Sequence, residues 1–203
     1  MRTTDAYSRL LGLGIPAVTT REAAARLGIP LYAATKLLQR LAADRLAVRL
    51  RRGLWVLDPA AEPHALAPYL TAPYPSYVSL WSALYHHGMI DQIPREIYLA
   101  SLDRSKRSRT PLGTYVILHI APELFGGFEA HGVGKLATPE KALFDTVYLG
   151  HAGGKRSPAL PEIELPKGFN RQVLRRWIFR IKAKRLRTLV GQRLERALKE
   201  AGP

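Results

Sequence analysis

The sequence predicts an α+β protein in two parts, a small helical domain closed by a β-hairpin and a mixed α/β domain that ends in two basic helices. Three observations lead there. Apolar residues recur at three- and four-residue spacing through "LYAATKLLQRLAA" and then alternate with arginine in "VRLR" before a glycine. Five prolines crowd residues 58–76 and resist continuous helix. Beyond them, strand-like runs alternate with helix starts.

Tyr7, Leu10 and Leu11 give a first helix, roughly Asp5 to Leu11, its apolar stripe. "TTREAAARLG", residues 19–28, opens on a threonine able to accept orphan helix N–H groups and closes on a glycine suited to the left-handed position. Ala23, Ala24 and Leu27 make its inner face. In "IPLYAATKLLQRLAADRL", Pro30 is tolerated in a first turn, and Leu31, Leu37, Leu38 and Leu41 are expected to face the core. The opposite face then carries Tyr32, Ala33, Thr35, Lys36, Gln39 and Arg40. Two helices joined by a tight Gly-Ile-Pro turn follow the helix-turn-helix plan, in which a short helix braces a second one sized for the major groove. In "RLRRGLWVL", residues 49–57, Gly53 permits the positive φ of a turn, and Arg51 and Arg52 stand at its tip. With Trp55 packed beneath, this hairpin reads as the wing of a winged helix-turn-helix domain over residues 1–58, its Arg49, Arg51 and Arg52 directed at phosphates or a minor groove.

Residues 59–75 read as a Pro-rich linker with a short helical turn near His64 to Leu70, and residues 76–203 as the mixed α/β domain. There, "SLWSALYHHG" predicts a helix capped by Ser79 and ended by Gly88, and "EIYLAS" a strand. "DRSKRSRTPLG" reads as a basic loop carrying Arg104, Lys106, Arg107 and Arg109, followed by the strand "TYVILHI". In "GKLATPEKALFDTVYLG" a strand precedes a helix with Thr138 as cap, Pro139 first and Glu140 suited to the dipole. Its buried face is expected to be Ala142, Leu143, Phe144 and Val147. The tail predicts a short strand in "PEIEL", a helix capped by Asn170 burying Leu174, Trp177, Ile178 and Ile181, and a last helix from about Arg185 with Leu186, Leu189, Val190, Leu194, Ala197 and Leu198 inward.

Charge is the strongest compositional signal. The 203 residues carry a formal +15, distributed as +6 over residues 1–58, +1 over 59–160 and +8 over 161–203. Basic ends around a neutral middle suit a polyanionic partner. Residues 171–187 hold eight Lys/Arg and no acid. Like charges at helical spacing repel, so Arg175, Arg176, Arg180, Lys182, Lys184 and Arg185, with the basic loop, are expected to form a second phosphate-facing or partner surface. At 47% hydrophobic the chain can bury a core. The absence of cysteine excludes a disulfide framework, a thiolate metal site and a thiol nucleophile. No run approaches a membrane span and no leader pattern opens the chain, which predicts a soluble, unprocessed, cytoplasmic protein.

Signals for catalysis are weak. The adjacent His86 and His87 diverge by about 100° on a helix, and His119 and His131 fall on other elements. "FGGFEAHGVGK" does not open a helix as a phosphate cradle must. Glu123, Glu129, Glu140 and Asp145 are the carboxylates a metal-dependent nuclease would use, but Glu140 and Asp145 lie about 140° apart on their helix.

The winged-helix reading, "YVSLWSALYHHGMIDQIPREIYLAS", "RTPLGTYVILHIAPELFGGFE", "LATPEKALFDTVYL" and the "LPKGF" before the terminal helices together resemble the AbiEi antitoxins of abortive-infection (type IV) toxin–antitoxin systems, also described as predicted transcriptional regulators of viral defence. The resemblance implies a winged helix that represses its own operon and a C-terminal domain that counteracts a nucleotidyltransferase-like toxin, without need of a stable complex. The basic "IKAKRLR" departs from the less charged connection expected there.

The sequence thus predicts a DNA-binding repressor and antitoxin, monomeric in solution, that contacts operator DNA through Tyr32, Thr35, Lys36, Gln39, Arg40, Arg49, Arg51 and Arg52. No cofactor, metal, membrane contact or enzyme activity is expected. The alternatives are a nuclease targeted by a winged helix, a repressor unrelated to any toxin, and a protein-binding module.

Overall fold

The computed structural model describes residues 2–152 and 160–201. It is a mixed α+β structure with two sheets. Two compact units divide after Leu70: Met1–Leu70 with Arg109–Gly113, and Thr71–Ser108 with Thr114–Pro203.

The first unit runs α1 (Thr3–Leu11), β1 (Ala17–Thr19), α2 (Thr20–Leu27), α3 (Leu31–Ala43), β2 (Val48–Arg51) and β3 (Leu54–Val56). The strands form an antiparallel sheet in the order β1-β3-β2. Local chemistry sets the bounds of α2. The Thr19 hydroxyl accepts from the Glu22 N–H while the Glu22 carboxylate accepts from the Thr19 N–H, a capping box worth about 1 kcal/mol. Gly28 closes the helix at φ 65°, a left-handed position that disfavours residues with a Cβ. Leu10, Val18, Leu27, Leu38, Leu41, Trp55 and Leu57 fill the core, each large side chain contributing about 1.5–3 kcal/mol on burial. The Tyr7 hydroxyl fastens α1 by donating to the Leu57 carbonyl at 2.9 Å.

One expectation for α3 is corrected. Ala34, Leu38 and Leu41 are its buried residues, Leu37 is half-buried, and Leu31 is 50% exposed. Leu31 sits in the first turn, at the reversal from α2, where helical periodicity gives a direction but nothing covers the side chain. The segment expected as a linker holds a 3-10 turn, Pro63–Leu66, and α4 (Ala67–Thr71), with Leu66, Ala67 and Leu70 buried.

The second unit contains β4 (Ser76–Val78), α5 (Leu80–His86), β5 (Ile97–Ser101), β6 (Lys106–Thr110) and β7 (Gly113–His119) apart from Arg109, Thr110 and Gly113, which group with the first unit, then β8 (Phe128–His131), β9 (Gly134–Ala137), α6 (Pro139–Ala152), α7 (Arg171–Phe179) and α8 (Lys184–Glu200). A six-stranded mixed sheet runs β6-β7-β5-β4-β9-β8, with β5/β7 and β4/β9 parallel and β4/β5 and β8/β9 antiparallel. Helix α6 packs on α5, α7 and α8, which is why residues 140–147 are buried without a break.

Three further expectations are corrected. The basic loop instead contributes edge strand β6, whose residues alternate between exposed and half-buried. "PEIEL" is not a strand: Pro161 and Pro166 bracket it, and the Glu164 N–H donates to the Met89 carbonyl without forming a ladder. Leu189 is 38% exposed rather than inward, α8 being buried at Val190, Leu194 and Ala197. Ile178 is half-buried beside the buried Leu174, Trp177 and Ile181, and Leu186 and Leu198 are half-buried on α8.

At the centre of the second unit Lys141 and Asp145 form an ion pair with neither side chain exposed. Asp145 Oδ2 also accepts from the Tyr77 hydroxyl at 2.9 Å and the Ser79 hydroxyl at 2.7 Å. Ser79 stands at the N-cap of α5 as expected, but its hydroxyl serves Asp145 rather than capping the helix. Three rings surround the Lys141 ammonium, Trp177 at 4.8 Å, Phe144 at 5.1 Å and Tyr77 at 5.4 Å from their centroids. Gly127 makes room for this cluster. A Cβ there would lie 2.6 Å from Trp177 Cζ2, at a backbone φ of +69°. Gly127→Ala should therefore cost roughly 2 kcal/mol or more in urea unfolding, through backbone strain and overpacking together; a cost of only about 1 kcal/mol would show that the ring can move aside, and a change within error would refute both contributions.

Candidate nucleic-acid interface

Helix α2 and the Gly28 turn set the start of α3, and the outward face of α3 is polar. Tyr32 is 69% exposed, Lys36, Gln39 and Arg40 are exposed, and Ala33 and Thr35 are half-buried. The Thr35 hydroxyl donates to the Leu31 carbonyl at 2.9 Å, which leaves it free only to accept. One guanidinium nitrogen of Arg40 donates to the Thr3 hydroxyl at 3.4 Å.

The β2–β3 hairpin carries the other predicted contacts. Arg49, Arg51 and Arg52 are all exposed, Leu50 points inward, and Gly53 turns the chain at φ 77°. A register shift falls between Arg49 and Arg51. Trp55 packs inside: its indole N–H donates to the Thr20 hydroxyl at 3.0 Å, and the Arg49 guanidinium lies 5.7 Å from the ring centroid. The Thr20 N–H donates to the Gly53 carbonyl at 3.0 Å, tying the hairpin turn to the first residue of α2. Arg51 is partly committed, donating to the Tyr69 carbonyl at 3.3 Å. Arg52 has no hydrogen bond or ion pair among the described residues, and no α3 or hairpin cation there pairs with a carboxylate. The face therefore presents uncompensated positive charge.

The second predicted surface is less uniform. Lys106 pairs with Asp103 and Arg107 with Glu96, while Arg104 and Arg109 are exposed. Along the terminal helices Arg175, Arg176, Lys184 and Arg185 are exposed, Arg180 lies 4.3 Å over the Trp177 ring, and Lys182 reaches Glu123 at 3.1 Å. Sequence reasoning passed over Arg187, which braces the α7–α8 turn by donating to the Ile181 and Lys182 carbonyls, and Phe179, which is 71% exposed among these cations.

Hydrogen bonds from the Lys106 ammonium and the Arg104 N–H hold the Asp103 carboxyl below its ordinary value near 3.8. A depressed carboxyl contributes stability that is present above that value and lost as pH falls through the lower folded one. Asp103→Asn should therefore flatten the acid limb of a melting-temperature series; an unchanged limb would show that this pair does not stabilise the fold.

Two of the carboxylates weighed for a nuclease are committed within the fold. Glu140 accepts the Asn170 N–H at 2.8 Å, and the Asn170 side chain in turn caps α7. Asp145 is sealed in its ion pair. Among the described residues no group of three or more His, Asp or Glu is placed to hold a metal ion. The histidines lie closer than their sequence positions suggest: the His86 ring centroid is 5.6 Å from that of His87 and 4.6 Å from that of His131. His119 Nδ1 lies 3.2 Å from the Asp103 carbonyl and His87 Nε2 2.7 Å from the Ala137 carbonyl. No helix among the described residues is long and apolar enough to cross a membrane. No protein-family model matches this chain, and no curated protein matches it either.

Proposed function

We propose that the first unit is a winged helix-turn-helix that binds double-stranded DNA, and that the chain is a cytoplasmic repressor of its own operon and the antitoxin to a nucleotidyltransferase-like toxin, without enzyme activity. The observation that carries the DNA reading is a groove-sized helix with an exposed polar face, braced by α2, in one unit with a hairpin whose tip arginine, Arg52, has no hydrogen bond or ion pair among the described residues. The antitoxin role rests on the resemblance of the second unit's motifs to AbiEi proteins. The exposed cations of α7 and α8 add attraction for the phosphate backbone.

Selection of duplexes from a random pool by the full chain tests the reading. The expected result is one enriched sequence, present upstream of the gene, with binding that weakens as salt rises. Absence of any retained duplex at low salt would overturn it. For the antitoxin role, co-expression with the product of the neighbouring reading frame should restore growth that this product alone arrests.

A further inference from the structure

Within the second unit, α5, residues 92–96, β5 and β6 enclose an open cavity of ≈ 680 Å³, inside the range of small-molecule sites. Its walls differ in chemistry. Trp81 and Tyr98 bring aromatic side chains to the lining, and Arg95, Arg107 and Gln92 bring polar ones. Glu96 lines the cavity as well, and hydrogen bonds brace the frame. Buried Ser82 accepts from the Tyr98 N–H at 2.9 Å and donates to the Glu96 carbonyl at 3.4 Å, while the Glu96 carboxylate holds Arg107. Arg95 is exposed and has no hydrogen bond or ion pair among the described residues.

We propose that this cavity binds a nucleotide, its base against Trp81 and Tyr98 and its phosphate on Arg95. Aromatic side chains stack bases of any sequence, and a guanidinium fork matches phosphate geometry. Inorganic phosphate would leave both rings uncovered, and an acidic peptide would satisfy Arg95 without using them. Arg107, already neutralised by Glu96, orients the ligand rather than supplying net charge. The site belongs to a different unit from the proposed duplex-binding face and does not depend on it.

Calorimetric titration of the full chain tests this, with adenosine 5′-monophosphate as probe and adenosine, ribose 5-phosphate, inorganic phosphate and hexaglutamate for comparison. The monophosphate should saturate, and each fragment should bind at least about tenfold more weakly. Arg95→Glu, on an exposed side chain, should weaken the monophosphate about tenfold or more while preserving the melting temperature. Tyr98→Leu should weaken it too, and Arg51→Ala with Arg52→Ala should leave it unchanged. A 5′-phosphorylated single-stranded pentanucleotide that competes better than the monophosphate assigns the site to a strand; one that competes less well assigns it to free nucleotide, and both uphold the site. No saturation up to about 10 mM, equal binding by inorganic phosphate, tighter binding by hexaglutamate, or indifference to Arg95→Glu would each overturn it.

Discussion

Lys141→Met should destabilise the second unit by about 3–5 kcal/mol, and so should Asp145→Leu, while the two together should cost clearly less than their sum. Both side chains are sealed from solvent, and the carboxylate has three donors, Lys141, Tyr77 and Ser79. Burial pushes the Asp145 carboxyl up and the Lys141 ammonium down, each shift opposed by the partner's charge. Burial, and then the Asp145 charge, also push the Tyr77 phenol well above its ordinary range. Losing one partner therefore strands the other in a medium that penalises charge, whereas losing both replaces the pair by apolar volume among three rings.

The two single variants should respond to pH with opposite signs. In Lys141→Met, Asp145 loses its cation and its folded value rises further. A raised carboxyl contributes most below its unfolded value near 3.8 and loses that contribution as pH climbs through the folded value, so this variant should weaken from acid toward neutral. In Asp145→Leu, Lys141 is depressed further below its ordinary 10.5, and stability should fall as pH drops from the alkaline side through the folded value. Urea unfolding at several pH values reads both. Parallel pH trends, or single-variant costs below about 1 kcal/mol, would mean that the pair is hydrated.

That cluster also shows where sequence reasoning stops. Thr19, Gly28 and Asn170 act on backbone groups within a few residues, so composition alone located their helix ends. The alternation across Leu50 likewise gave the hairpin its facing. Periodicity supplies a direction but not the element that meets it, which is why Leu31 and Leu189 were expected inside and lie exposed. Lys141 and Asp145, four apart on a helix, have the spacing of an ordinary surface pair until α5, α7 and α8 close around α6. The 140° between Glu140 and Asp145 separates faces only on a helix with a solvent side, and α6 lacks one across these residues. Charge pairing divides in the same way. Asp103 lies three residues from Lys106 and is readable, whereas Glu96 reaches Arg107 only from a segment eleven residues away.

On duplex DNA, hairpin and helix variants should fail in different ways. Each lost phosphate contact reduces the slope of log K against log salt by about 0.9, so Arg52→Ala should flatten it by roughly that amount and weaken selected and random duplexes alike. Arg51→Ala should act less purely, because its guanidinium also holds the Tyr69 carbonyl; some loss of thermal stability should accompany its effect on binding. Lys36→Ala and Gln39→Ala should instead alter which sequence is preferred, by about 1–3 kcal/mol for each lost base contact, with random-duplex affinity changed far less at Gln39 because its amide carries no charge. At Thr35 the hydroxyl proton is spent on the Leu31 carbonyl. Thr35→Val therefore keeps the methyl surface and removes only an acceptor, so a preference lost in Val but not in Ser identifies acceptance from a base amino group, and the reverse identifies methyl contact. Electrophoretic shifts at four salt concentrations on one selected and one scrambled duplex separate these effects. Equal losses on both duplexes from the hairpin and helix variants alike would refute the division between gripping the backbone and reading the bases.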